Sequence, residues 1–189
     1  MRYAELRCKS NFSFLRGASH PHELIEEASR LGYAGLALTD LASISGTVRA
    51  HTTAKELGLP FLIGSEVQLD EGPTLVLWPI NRQGYGRLCR LITRGRARTE
   101  KGEYQITWQD VCELNDDIMS GVVATNSQDL GSHEQFTRFL SGPFRDVFHD
   151  RGYLLCELHS GVDDHSVLDQ MQSLAKQTNN RLVASGNVH

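Results

Sequence analysis

The sequence predicts an α/β fold, because short buried strands alternate with helical segments along nearly the whole chain. Seven short apolar runs, rich in β-branched residues, are separated mostly by stretches whose apolar residues recur at helical spacing. The run 34–40 is apolar on both faces, as expected of a parallel strand covered by helices on both sides. Seven alternating units favour a barrel over a small open sheet, which remains the alternative. In both architectures, functional groups are expected at the carboxyl ends of the strands.

The predicted elements begin and end at recognisable local signals. Pro21 lies in the first turn of the first predicted helix, which Gly32 ends, and Gly58 ends the second helix in the same way. The predicted strands are 3–8, 34–40, 61–67, 74–80, 121–125, 153–158 and 182–185. The later predicted helices are 47–57, 84–96, a short helix capped by Thr107 with Asp110, a helix opened by Ser132 with Gln135, and 164–178.

Length and composition are those of one ordinary globular domain. The chain has 189 residues, of which 40% are hydrophobic and 22% are charged, and its formal net charge is −4. This length suits one well-buried domain, 1–189, and is rather short for two. No stretch approaches the roughly 18 apolar residues of a membrane span, and residues 1–7 carry charges where a signal peptide needs an apolar core. A cytoplasmic protein without a membrane partner is therefore expected.

A run of arginines from Arg82 to Lys101 is the most concentrated basic feature. The favoured interpretation is the solvated face of a helix and the loop after it. The alternative is a patch that contacts DNA or another part of a larger protein. The negative net charge excludes the domain-wide basic field that drives nonspecific binding of nucleic acids.

The cysteines and histidines are scattered along the chain. Cys8, Cys89, Cys112 and Cys156 form no C-x-x-C pair, which in a cytoplasmic protein is typical of reduced and mostly buried thiols. His20 and His22 make an H-x-H pattern, but their place at the start of a helix favours a surface or capping role.

Polar residues that follow the predicted strands are the candidates for a functional site. Asp40 follows the second strand, Glu66 ends the third, and Asn187 and His189 follow the last. Carboxylates and imidazoles that converge on one barrel mouth could hold divalent metals, and two metals would support phosphoester hydrolysis. The alternatives are that Asp40 caps the next helix and that Glu66 pairs with a lysine or arginine.

Several blocks of sequence resemble the N-terminal PHP (polymerase and histidinol phosphatase) domain of error-prone C-family bacterial DNA polymerases. They are Ala-Glu-Leu at 4–6, Ser-Asn-Phe-Ser-Phe-Leu-Arg-Gly-Ala-Ser-His-Pro at 10–21, 36–40, 54–59, 64–66, 84–86, 91–93 and Val-Ala-Ser-Gly-Asn-Val-His at 183–189. The resemblance implies a distorted, TIM-like, seven-stranded βα barrel with a metal cluster at its mouth. It also implies polymerase domains after the PHP domain, so the chain is expected to be an N-terminal fragment truncated at the C-terminal end of its barrel.

The metal ligands that the resemblance implies are only partly present. Asp40, Glu66 and His189 stand at family ligand positions and form a vestigial set. The replaced positions are Arg7 and Lys9 in the first H-x-H motif, Leu41 in the T-D-H motif, Thr74 where a strand often begins with histidine, and Asn187 in the D-x-H motif. We therefore expect no resident cofactor, or a divalent zinc, manganese or magnesium ion at low occupancy.

Arg7 and Lys9 suggest what replaces the metals. Two residues apart on a strand, they share a face, and inside a barrel they would point toward Asp40 and Glu66. Buried carboxylates without a counter-charge destabilise a fold by several kcal/mol. The hypothesis is that the two cations supply the missing positive charge through salt bridges, and the alternative is that both are ordinary rim residues.

Three functions compete at this point. The favoured one is a non-catalytic structural module of a polymerase used in damage-induced mutagenesis and translesion synthesis. The second is a residual metal-dependent phosphoesterase or 3′–5′ exonuclease, and the third is a free-standing hydrolase of small phosphate esters. The resemblance implies as partners the rest of the polymerase chain, DNA through the full-length protein, a sliding clamp and mutagenesis accessory proteins.

Overall fold

The computed structural model describes residues 3–124 and 133–189 and divides the chain into two compact units. The first unit comprises Met1–Glu66 with Ser185–His189, and the second comprises Val67–Ala184. Strand 121–125 and the helix opened by Ser132 were predicted in part on residues outside the described ranges. Within those ranges no helix has both the length and the apolar character needed to cross a membrane.

The first unit contains a three-stranded parallel sheet in the order β1-β2-β3. Its strands are β1 (Ala4–Cys8), β2 (Gly35–Leu38) and β3 (Phe61–Ile63). Helices α1 (Pro21–Arg30) and α2 (Thr47–Leu57) follow β1 and β2 and pack against each other. Because the strands are parallel, their carboxyl ends lie at one edge of the sheet, and the chain segments that follow them meet there.

Strand β1 contains one extra residue close to that edge. Glu5 pairs with Leu36 and Cys8 with Leu38, so three steps along β1 oppose two steps along β2. Such a bulge frees backbone groups from the ladder and re-aims side chains, and bulges are common beside functional sites. Here it frees the N–H of Arg7, which donates to the Glu5 carboxylate instead.

The buried apolar side chains explain why these elements pack as they do. Leu24, Ile25 and Ala28 form the inner stripe of α1 and contact Ala50 and Ala54 of α2 within one core cluster. The α1 helix begins with a capping box between His20 and Glu23, and α2 ends at Gly58 with φ +68°. These local signals set the helix bounds close to those that the sequence predicts.

The second sheet has five strands in the order β4-β5-β6-β7-β8. They are β4 (Ser65–Gln68), β5 (Thr74–Pro79), β6 (Ile118–Val123), β7 (Gly152–Glu157) and β8 (Arg181–Ser185). The helices between them are α3 (Arg82–Ala97), α4 (Trp108–Leu114), α5 (His133–Ser141), α6 (Pro143–Phe148) and α7 (Asp164–Thr178). A core of buried aromatic and aliphatic side chains, including Phe144 and Phe148, supports the second unit.

The structure confirms the α/β class and corrects two details of the prediction. The predicted strand 61–67 is two strands separated at Gly64, so the described residues contain eight strands rather than seven. Strands β5 and β6 are antiparallel, whereas β6 and β7 are parallel. Two helices, α3 and α4, connect β5 to β6, so the chain can re-enter the sheet from the end at which it left.

Candidate functional site

An ion-pair cluster lies at the carboxyl edge of the first sheet and is centred on Glu66. The Arg7 Nε donates to Glu66 Oε2 at 2.6 Å, and the Lys9 Nζ lies 2.9 Å from the same oxygen. All three side chains are buried, with exposed fractions of 4% for Glu66, 7% for Arg7 and 5% for Lys9. Two cations that are two residues apart in the sequence therefore both pair with one buried carboxylate.

The terminal segment 185–189 joins this cluster through Asn187. The Lys9 Nζ donates to Asn187 Oδ1 at 2.7 Å. Backbone hydrogen bonds from Lys9 N to Val188 O and from Val188 N to Arg7 O align the segment with the end of β1. Asn187 thus supplies a neutral acceptor oxygen to the buried lysine.

Glu5 is a buried carboxylate that the sequence reasoning did not single out. Its oxygens accept hydrogen bonds from the Arg7 N–H at 2.8 Å, the Gly186 N–H at 3.0 Å and the Tyr3 hydroxyl at 2.8 Å. A Cβ on Gly186 would lie 2.4 Å from Glu5 Oε2, so glycine allows this approach. Glu5 therefore positions the turn that presents Asn187. An acid between the apolar residues Ala4 and Leu6 of a predicted strand was the available sequence signal.

Asp40 lies in the same unit, but serine donors surround its carboxylate. Asp40 Oδ1 accepts from Ser10 N at 2.7 Å and from Ser13 Oγ at 2.6 Å, and Oδ2 accepts from Ser10 Oγ at 2.8 Å. The side chain is fully buried. The hypothesis directed both cations at Asp40 as well as Glu66. The structure places Arg7 and Lys9 on Glu66 and gives Asp40 a separate role in anchoring the loop after β1.

The other positions that the sequence analysis singled out do not contact a common point with Asp40 and Glu66. His189 is exposed, and its Nδ1 lies 2.9 Å from the backbone oxygen of Asn187. Leu41 pairs with Glu66 through a backbone bridge, and Thr74 in the second unit hydrogen-bonds Gln68. His20 stacks on His22 at 5.5 Å at the start of α1, where its backbone N–H donates to the Glu23 carboxylate.

The charges of the cluster shift the ionisation of its buried groups. Burial alone would raise the pKa of Glu66, but the hydrogen bond and charge of Arg7, together with Lys9, outweigh burial and hold the pKa below its ordinary value. Burial raises the pKa of the Cys8 thiol to about 12, and the nearby carboxylates of Glu5 and Asp40 add to this effect. The carboxylate of Glu66 is thus ionised at neutral pH, and Cys8 is an inert thiol.

These side chains do not fit the metal cluster that the resemblance implies. The residues that the structure describes contain no group of three or more His, Cys, Asp or Glu side chains able to hold a metal ion. Serine donors occupy both oxygens of Asp40, and two cations contact Glu66. A divalent cation at this edge would be repelled by Arg7 and Lys9. The donor set suits an ion-paired carboxylate and not a multi-metal centre.

Three arginines of the basic run in the second unit form ion pairs with acidic side chains. Arg94 lies 3.1 Å from Asp110 and 2.6 Å from Glu113, and Arg98 lies 2.5 Å from Asp110. Arg87 makes a similar pair with Asp117. These three arginines therefore already have acidic partners, which supports the interpretation of this part of the run as a helix face rather than a DNA-binding surface.

The fold of the chain is an α/β architecture that two solved structures share. A candidate metal-dependent phosphoesterase from Bifidobacterium adolescentis shares the fold with a TM-score of 0.72 and 14% identity, covering 100% of this chain and 88% of that one. An amidohydrolase from Chromobacterium violaceum, solved with bound sulfate and no metal, has a TM-score of 0.69 and 18% identity, with coverage of 98% and 87%. The chain belongs to the PHP domain family, whose model matches residues 5–155.

The relatives identify the branch of the family. An error-prone DNA polymerase from Rhodopirellula baltica is 49% identical over 193 residues, which cover 100% of this chain and 17% of that protein. An error-prone DNA polymerase from Pseudomonas syringae is 43% identical over 187 residues, covering 99% of this chain and 18% of that protein. The chain thus corresponds to the PHP domain of error-prone DNA polymerases and spans under a fifth of their length.

Proposed function

We propose that the chain is the structural, non-catalytic PHP domain of an error-prone DNA polymerase that acts in translesion synthesis and damage-induced mutagenesis. The observation that carries the non-catalytic part is the position of Glu66 between Arg7 and Lys9. In this arrangement fixed side-chain cations neutralise the carboxylate, so no metal is needed to keep it buried. Asp40, Glu66 and His189 are then remnants of a ligand set, and Arg7, Lys9, Leu41, Thr74 and Asn187 are its replacements.

The structural role follows from what the cluster connects. Glu66 is the second residue of β4, Lys9 follows β1, and Asn187 belongs to the segment 185–189. The hydrogen bonds of Lys9 and Arg7 therefore join three parts of the chain that are distant in sequence. A metal cluster would make the same connection in a ligand-complete domain, and here ion pairs and an amide make it.

A residual phosphoesterase or 3′–5′ exonuclease is the competing function, and it depends on a bound metal. The experiment is metal analysis of the purified chain after incubation with zinc, manganese or magnesium, followed by hydrolysis assays on single-stranded DNA and a generic phosphoester. We expect substoichiometric metal and no turnover above background. Stoichiometric metal with turnover that Glu66→Ala abolishes and the exposed control Glu26→Ala retains would refute the proposal.

The larger protein supplies the remaining parts of the proposal. We propose that residues 1–189 form one PHP domain, with the barrel architecture of the family, at the N-terminus of a longer cytoplasmic polymerase. Its partners would be the rest of the polymerase chain, DNA, a sliding clamp and mutagenesis accessory proteins. The relatives' names and the short coverage of their chains support this assignment. Primer extension across a lesion by the full-length protein tests it, and absence of polymerase activity would contradict it.

A further inference from the structure

The loop 11–19, which follows β1, presents two large apolar side chains to solvent. Phe14 is 84% exposed and Leu15 is 90% exposed. Single exposed apolar residues, such as the fully exposed Val162 of the second unit, are common on protein surfaces. Two adjacent ones with so little cover form an apolar tip that can act as an anchor in a protein–protein contact.

Hydrogen bonds hold this loop in a defined conformation. Its two ends are joined by the hydrogen bond from Asn11 N to Ser19 O at 2.9 Å, and Arg16 N donates to Ser13 O at 2.9 Å. The hydroxyl of Ser13 donates in turn to the buried carboxylate of Asp40 at 2.6 Å. The apolar tip is therefore preorganised, so a partner that binds it loses little conformational entropy in ordering the loop.

Leu15 has a backbone conformation that is unusual for its residue type. Its φ is +62°, in the left-handed region that leucine rarely adopts. Two residues later the loop returns so close to β1 that a Cβ on Gly17 would clash with the carbonyl of Ser10. The fold thus keeps an unfavourable backbone angle at a position whose side chain is exposed. Residues strained in this way cluster at sites that bind a ligand or a partner.

We propose that Phe14 and Leu15 dock the domain onto the polymerase body, meaning the part of the full-length protein outside residues 1–189. The inference rests on the function proposed above and deepens it by naming the surface of contact. More than four-fifths of the length of the two polymerase relatives lies outside the matched region. Asn187 and His189 line the same cleft as Leu15, so in a longer protein the chain past position 189 starts beside this loop.

The charges of the loop specify the kind of surface that it fits. Residues 9–22 contain the cations Lys9 and Arg16 and no aspartate or glutamate. Lys9 is buried within the ion-pair cluster, whereas Arg16 is exposed beside the apolar tip. The complementary surface is therefore an apolar pocket for Phe14 and Leu15, with an acidic side chain at its rim that pairs with Arg16.

The test is photocrosslinking within the full-length polymerase, in the presence and absence of single-stranded DNA. Phe14→benzoylphenylalanine places the photoreactive group on the apolar tip, and Val162→benzoylphenylalanine is the matched exposed control. Peptide mass spectrometry of a mixture of isotope-labelled and unlabelled protein distinguishes crosslinks within one chain from those between copies. We expect position 14 to crosslink to peptides of the same chain beyond residue 189, with a yield about fivefold above that of position 162.

Limited proteolysis gives a second measurement that needs no photoreactive group. Simultaneous Phe14→Ser and Leu15→Ser should leave the unfolding midpoint of the 189-residue chain unchanged, because both side chains are exposed there. In the full-length protein the same double substitution should accelerate cleavage between residues 1–189 and the polymerase body by about tenfold, because the undocked junction is more accessible. Val162→Ser should leave the cleavage rate unchanged.

Several outcomes would overturn the inference. Crosslinks from position 14 that stay within residues 1–189, that form only between copies, or that go to the added DNA instead of protein would each do so. Equal cleavage rates for the double substitution and for Val162→Ser would do so as well. None of these results affects the structural proposal, because that proposal fails through metal-dependent turnover or through absence of polymerase activity.

Discussion

The two units each place a carboxylate between two cations, but they bury different members of the cluster. In the first unit Glu66 and both of its partners are almost fully buried. In the second unit Asp110 is 4% exposed, whereas its partners Arg94 and Arg98 are 32% and 39% exposed. The arginines of the second cluster can return to water when their acid is removed. The cations of the first cluster are buried and cannot return to water. Removal of the acid should therefore lower the free energy of unfolding far more in the first cluster than in the second.

Removal of Glu66 should produce the largest effect. Glu66→Ala leaves Arg7 and Lys9 buried without the acid that they share, so we expect the free energy of unfolding to fall by about 3–5 kcal/mol. Urea unfolding followed by circular dichroism measures this change. Glu26→Ala, at an exposed position on α1, is the matched control and should change stability by less than about 0.5 kcal/mol. Equal losses of stability in the two variants would show that the buried ion pairs of Glu66 do not stabilise the fold.

Loss of one buried cation should have a smaller effect. Lys9→Met leaves Glu66 with the hydrogen bond from Arg7 but deprives Asn187 Oδ1 of its donor. We expect destabilisation of about 1–3 kcal/mol, measured by the same unfolding experiment. The exposed Lys55→Met provides the control. A stabilising effect of Lys9→Met would mean that the lysine is needed for function and not for the fold.

The Asp110 cluster should respond less again. Asp110 accepts hydrogen bonds from Thr107 N and Thr107 Oγ1 and closes the capping box of α4. Asp110→Ala should cost about 1 kcal/mol, mainly through loss of this cap, because Arg94 and Arg98 return to water. The difference between wild type and variant should shrink in about 1 M salt, which screens exposed pairs more than buried ones. A cost as large as that of Glu66→Ala would contradict the comparison.

Acid should reveal the smallest effect. The hydrogen bond from Arg98, with those from Thr107 and Arg94, holds the pKa of Asp110 well below its ordinary value of 3.8. A lowered pKa means that ionised Asp110 stabilises the fold above pH 3.8 and that this stabilisation is lost as the pH falls toward the lower, folded-state pKa. The stability gap between wild type and Asp110→Asn should therefore be constant near neutral pH and narrow below pH 3.8. A stability difference that grows as the pH falls would contradict the lowered pKa of Asp110.

For the first cluster, the sequence predicted which residues lie at the sheet edge better than it predicted their hydrogen-bond partners. Parallel strands bring their carboxyl ends together, so Asp40 and Glu66 could be assigned to one edge from strand order alone. The spacing of Arg7 and Lys9 likewise suggested that both could reach an acid. The partners of Asp40 depend on how the loop after β1 folds back, and no periodicity encodes that path, so Ser10 and Ser13 were missed.

The sequence predicted where most helices and strands lie. It did not predict which strands pair or in which direction. Helix bounds followed local caps such as Pro21 and Gly58, which act within a few residues. The antiparallel pairing of β5 with β6 depends on the direction in which a 38-residue connection returns, and α6 was not foreseen because it is only six residues long. The split at Gly64 likewise reflects which neighbouring strands pair with each half, and this is a tertiary property.

The hydrogen bond between Lys9 and Asn187 spans 178 positions of sequence, and that between Glu5 and Gly186 spans 181. On the ribosome, residues 67–184 must be synthesised between the two halves of the first unit, which takes about 6–24 seconds at usual translation rates. During that interval β1 is the edge of a three-stranded sheet without the bridge from Cys8 to Val188. An uncovered edge strand is a template for pairing with other chains. The bridge to β1 can therefore form only after residues 185–189 have been synthesised, and until then this edge has the unpaired backbone groups that invite pairing with other chains.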